Sequence, residues 1–136
     1  MTRGRALRVL FISWLTFAAA PSVLITLQSM NGRYGADSSI AWSWLSGAMV
    51  PILSLVVTAT FVEHSPRWLS GQAGRFRFIT AMALSGLYSI SVLAVLLVQP
   101  LLSYTPFDLF RMTELPLALW QGVTLASVAT VIFDNR

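Results

Sequence analysis

The one histidine of the sequence, His64, follows Glu63 at the head of its longest polar run, EHSPRWLSGQAGRFR, residues 63–77. A carboxylate next to an imidazole could pass a proton, and an isolated imidazole titrates close to neutral pH. The pair lacks the HExxH spacing that places two histidines on one helical face for zinc. With one histidine and no cysteine in the chain, a closed metal site cannot be assembled from imidazole and thiolate ligands. Thiol catalysis and disulfides are excluded on the same count. No glycine-rich phosphate loop appears, because the glycines are scattered. The sequence predicts no catalytic residue, no cofactor and no metal, and therefore no enzyme.

The surroundings of this run explain it differently. Hydrophobic residues make up 56% of the 136 residues and charged residues only 10%, against about 25% charged in a typical soluble domain. Such a chain cannot cover a water-facing surface, so its expected solvent is lipid. Four apolar runs, about 6–29, 40–62, 78–102 and 115–133, are each long enough to span a bilayer. Lipid offers no partner to a backbone N–H or C=O, so each should be helical. The expected fold is all-α, one four-helix transmembrane bundle over residues 1–136. Arg3, Arg5 and Arg8 followed by an apolar stretch and Ala18-Ala19-Ala20 resemble a signal peptide. The apolar pattern continues through Val23, Leu24, Ile25 and Leu27, which reads as an uncleaved first helix.

Start signals mark the boundaries. Asp37, Ser38 and Ser39 form an N-cap cluster before the second run. Thr105-Pro106 reads as N-cap and N1, with Asp108 at N3 in a capping-box relation. A short interfacial helix is expected over about 106–112, with Phe107 and Phe110 toward lipid and Asp108 and Arg111 toward water.

Orientation follows from arginine, the only basic type apart from His64. Four spans place Arg3, Arg5, Arg8, Arg67, Arg75, Arg77 and Arg136 on one side and Arg33 and Arg111 on the other. The positive-inside rule makes the first side cytoplasmic, giving an N-in/C-in multi-pass protein of the cell membrane. The 63–77 run is then a cytoplasmic hairpin. Arg3, Arg5, Arg8, Arg67, Arg75 and Arg77 are topology anchors that meet anionic headgroups. Trp68, Phe76 and Phe78 fit one aromatic belt, and Trp42, Trp44 and Tyr104 the other. Arginines at the ends of apolar runs do not form a nucleic-acid patch, so no nucleic-acid partner is expected.

No Asp, Glu, Lys, Arg or His lies well inside the four runs, which counts against proton relays and ion-coupled transport. What the interior offers is small and neutral. Ser43, Gly47 and Pro51, then Ala81, Ser85 and Ser89, then Gly122, Ala126 and Thr130 recur at i, i+4. Such stripes let helices approach closely, within the chain or between copies. Gly47, Ser85, Ser89, Gly122, Ala126 and Thr130 are thus packing or oligomer candidates. Tyr88 and Gln121 are candidates for a polar path, with interhelical hydrogen bonds the simpler expectation. Pro21 and Pro51 should kink their helices and are hinge candidates. The expected protein is a small homo-oligomer acting as a pore-forming or membrane-perturbing effector, with a cytoplasmic trigger. The alternatives are an accessory subunit docked on a membrane protein partner and a transporter of a neutral or lipidic substrate.

Overall fold

The structure, a computed structural model, describes residues 3–62 and 71–133. It is all-helical: α1 Arg3–Met30, α2 Ser38–Val62, α3 Gly71–Val98 and α4 Pro106–Ile132, with short 3₁₀ turns at Gly35–Asp37 and Gln99–Leu101. All four helices are long and apolar enough to cross a membrane. Around the bundle the order is α1, α2, α4, α3: α1 packs on α2 and α3, and α4 packs on α2 and α3. The neighbours α2 and α4 run parallel, as do α1 and α3.

Each boundary has a local cause. At the end of α1, Arg33 N–H donates to the Gln28 carbonyl and Gly32 N–H to the Ser29 carbonyl, both at 3.0 Å. This is a Schellman stop with Gly32 at its C′ position. Gly32 at φ 71° and Gly35 at φ 54° take backbone conformations that L side chains resist. At the start of α4, the Asp108 N–H donates to Thr105 Oγ1 at 3.2 Å, and the Thr105 hydroxyl donates to Asp108 Oδ2 at 2.6 Å. The expected cap is formed, with Pro106 following it.

Two boundaries differ from expectation. α3 begins at Gly71, so Arg75 and Arg77 ride on its first turns rather than in a loop. Gln, Ala and Arg are good helix formers, and extending an existing helix is cheap. α4 runs unbroken from Pro106 through Pro116, where a separate surface helix and a span were expected. Met112, Glu114 and Leu115 favour helix, and a charge interrupts apolarity without interrupting the backbone. Glu63, His64 and Arg67 lie outside the described residues.

Trp14 anchors the core, fully buried with Leu10, Ile25, Ile52, Val92 and Leu96. Its ring meets Phe17 edge-on at 5.9 Å and Tyr88 at 6.3 Å. The outside is as apolar as the inside: Ile12 is 63% exposed, Leu119 69% and Phe76 69%. Apolar outer faces of this kind are compatible with four membrane-spanning helices.

Candidate functional site

A cavity of about 510 Å³ opens between α2 and α4 at the end that carries Gly32. Ser43, Trp44, Gly47 and Ala48 line it from α2, Phe107, Arg111, Glu114, Ala118 and Gln121 from α4, and Tyr88 from α3. Its size lies within the roughly 300–1,000 Å³ of small-molecule pockets. From Arg111 to Gln121 it follows α4 for about 15 Å at the helical rise. Charge sits at one end and apolar wall below it. An ideal Cβ on Gly47 would meet nothing within 4 Å, so within the chain the absent side chain widens the cavity.

Arg111 and Glu114 lie one turn apart on α4 and are both exposed in the cavity mouth. No side-chain hydrogen bond or ion pair joins either to another described residue. Beside them, Phe110 is buried, stacked on Trp44 at 4.7 Å and 22° and tilted against Tyr34 at 6.0 Å. Phe110 was expected to face outward; the continuous helix turns it inward, because residues 110, 117, 124, 128 and 131 share the buried stripe of α4.

The cavity floor is fixed by a proline. Pro51 has no N–H, so the Gly47 carbonyl has lost its partner one turn back. Gln121 Nε2 donates to that carbonyl and to Ala48 O, each at 2.9 Å. The Tyr88 hydroxyl reaches across the bundle to Ala48 O at 2.7 Å. The two polar-path candidates therefore have their donors committed to the α2 backbone. The remaining hydroxyls bond mostly within their own helix, as Ser91 to Leu87 O at 2.9 Å and Thr124 to Trp120 O at 2.9 Å do.

The same device recurs at the Gly32 end. Pro100 frees the Leu96 carbonyl, and Gln28 Nε2 donates to it at 3.2 Å. The Tyr34 hydroxyl donates to Gln28 Oε1, and Arg33 Nε to Gln99 Oε1 at 2.5 Å. Burial pushes the Tyr34 phenol above its ordinary value, and the Arg33 guanidinium pulls it part of the way back.

The small-residue stripes separate by direction. Ala81, Ser85 and Ser89 on α3 are buried inside the bundle. The hydroxyls of Ser85 and Ser89 and the Trp14 indole N–H have no hydrogen-bond partner there. Ser43, Gly47 and Pro51 on α2 are exposed, the first two along the cavity. Gly122, Ala126 and Thr130 on α4 are also exposed, and a Cβ on Gly122 would touch nothing within 4 Å. Pro21 is fully buried in α1, with Ser22 Oγ donating to Ala18 O at 2.7 Å. Arg5, Arg8, Arg75 and Arg77 are all at the end opposite Gly32, and Arg3 opens α1.

Among the described residues no group of three His, Asp or Glu could hold a metal. Glu114 and Gln28 escaped sequence reading. The signal for Gln28 was the pairing of a glutamine with a proline-freed carbonyl on another helix, which needs the helix neighbours to be known. The signal for Glu114 was its i+3 spacing from Arg111 on an unbroken helix.

No family model matches the chain, and neither a curated protein nor a solved structure matches it.

Proposed function

We propose that this is a multi-pass membrane protein, N-in/C-in, that binds an amphiphile in the lateral cleft between α2 and α4 without transforming it. The observation that carries this reading is the gradient along the cleft: Arg111 and Glu114 at the mouth, aromatic and aliphatic wall below, and Gln121 at the floor with its amide already bonded to Gly47 and Ala48. The orientation rests on the arginine bias. The apolar stretch 115–133, about 28 Å of helix at 1.5 Å per residue, matches a hydrocarbon core of about 30 Å. Arg111 and Glu114 then sit at the outer headgroup level, with the rest of the cleft reaching into the acyl region. The packed interior, in which Tyr88 and Gln121 are spent on backbone carbonyls, favours lateral binding over a path through a single chain. Binding of this kind suits a lipid-responsive accessory subunit or a carrier of lipidic cargo.

The test is native mass spectrometry of the purified protein with its retained lipid. Gly47→Leu and Ala118→Leu extend into the cleft without meeting the core. Retained lipid in the wild type, and much less in both variants at unchanged helicity, is expected. A wild type that carries no amphiphile refutes the reading.

A second reading, a homo-oligomer that perturbs the membrane or encloses a pore between chains, draws on the outward stripe Gly122, Ala126 and Thr130. Small residues on an uncovered face permit close approach of a second copy. Gly122→Leu and Ala126→Leu together would reduce the oligomer to the monomer mass. An unchanged mass removes this reading.

A further inference from the structure

We propose that the cleft selects the headgroup of its amphiphile, and that the class it selects is a zwitterionic phosphate–primary amine, the head of phosphatidylethanolamine. This rests on the reading of the cleft as an amphiphile site and names its ligand.

Two unpaired opposite charges share the mouth. Arg111 and Glu114 are three residues apart on one helix, a separation of about 5–6 Å between Cβ atoms. A guanidinium presents a planar fork of donors that matches a phosphate. A carboxylate is an acceptor only, with sites for the N–H donors of an ammonium. A head with a phosphate and an ammonium a few bonds apart gives each side chain its complement at once. An anionic head, with a glycerol or a second phosphate in place of the amine, would set negative charge or an uncharged hydroxyl against Glu114. A choline head carries positive charge but has no N–H to donate.

The nearest other charged groups do not blur this pairing. Asp37 and Asp108 lie at the same end but do not line the cavity, and the Asp108 carboxylate accepts from the Thr105 hydroxyl at its helix cap. Arg33 donates to Gln99 Oε1 and is not part of the cavity lining. The ring of Phe110, stacked on Trp44, fills the wall beside Arg111 and leaves the guanidinium in the mouth.

The lipid source is a bilayer lipid rather than a soluble head, because Ala118, Leu117 and Gly47 continue the cavity downward with apolar surface. Substitution at Arg111 or Glu114 leaves the packing intact, since both are exposed and unpartnered.

The experiment is competitive lipid binding by native mass spectrometry. Delipidated protein is titrated with equal amounts of phosphatidylethanolamine, phosphatidylcholine and phosphatidylglycerol of one acyl composition. The wild type is expected to take phosphatidylethanolamine about tenfold over the other two, the effect of one charge-assisted contact of about 1.4 kcal/mol. Glu114→Gln should erase the preference over phosphatidylcholine and weaken that over phosphatidylglycerol. Arg111→Gln should lower binding of all three, and Gly47→Leu should lower all three without altering their ratio. Equal uptake of the three lipids by the wild type, or a preference for phosphatidylglycerol, overturns the headgroup assignment while leaving the cleft reading standing. Uptake of none of them overturns the cleft reading itself.

Discussion

Gln121→Leu tests whether the glutamine serves the proline. The substitution deletes two 2.9 Å hydrogen bonds, to Gly47 O and Ala48 O. Ala48 O keeps the Tyr88 hydroxyl, but Gly47 O has no N–H at position 51 to fall back on. Interhelical hydrogen bonds in membrane proteins average about 0.6 kcal/mol and reach about 1.7. A carbonyl left without a partner in apolar surroundings adds about 1–3 kcal/mol. The two effects overlap, because the measured bond energies already include part of that loss, so Gln121→Leu should cost about 2 kcal/mol.

The diagnostic variant is Pro51→Ala, which restores an N–H that can donate to Gly47 O. In that background the carbonyl no longer depends on Gln121. Gln121→Leu should then cost at least about 1 kcal/mol less than in the wild type, a coupling within the range for residues in contact. The assay is reversible unfolding in mixed detergent micelles, run on the wild type, the two single variants and the double variant. Additive costs within about 0.3–0.5 kcal/mol would refute the reasoning. They would mean that Gln121 stabilises the α2–α4 contact independently of the carbonyl that Pro51 frees.

Gln28→Leu leaves the Leu96 carbonyl, freed by Pro100, without its donor; a loss of about 1 kcal/mol in the same unfolding assay is expected, and no loss would show that the Gly32 end is held by packing. Ser85→Ala removes a buried hydroxyl that has no partner, so it should be neutral or stabilise by up to about 1 kcal/mol, whereas a large destabilisation would reveal a partner for it. Tyr34 should give the fold a pH limit: its phenol is held above the ordinary value of about 10. A raised value means that the folded state prefers the neutral phenol, so stability is full below about pH 10 and falls as pH rises through the folded value. Melting temperatures followed from about pH 8 to 11 should show that fall in the wild type and a smaller one in Tyr34→Phe, in which the second buried phenol, Tyr88, remains.

Helix count, fold class and most boundaries were legible because lipid-type composition leaves the backbone no alternative to helix. The cap at Thr105 and Asp108 was legible for the same local reason: its partners are three residues apart. Direction was not legible. The stripes Ala81–Ser85–Ser89 and Gly122–Ala126–Thr130 look alike as sequence, yet one is buried and the other faces outward. Hydrophobic periodicity normally separates the two faces, but here both are apolar and the pattern carries little contrast. The Arg111 and Glu114 pair was hidden by treating charge as the end of a helix. Charge ends an apolar run, whereas a helix ends where caps, glycine or proline geometry stop it.

The prolines join these observations. Pro51 and Pro100 each strip one carbonyl of its donor, and a glutamine from another helix meets the vacancy each time, Gln121 from α4 and Gln28 from α1. In hydrocarbon a freed carbonyl has no water to turn to, and at these two positions a side chain from a neighbouring helix supplies the donor. A defect in one helix thereby becomes a bond between two. Each glutamine also spans a different joint, α2 to α4 and α1 to α3, the two parallel contacts of the bundle. These contacts join the first helical hairpin to the second, where no short connection holds parallel neighbours together. The two glutamines therefore tie the first hairpin to the second through side-chain bonds. Gln121, one of the two glutamines, also lines the cleft between α2 and α4, so the bond that joins these helices sits in the floor of the cavity whose mouth carries Arg111 and Glu114.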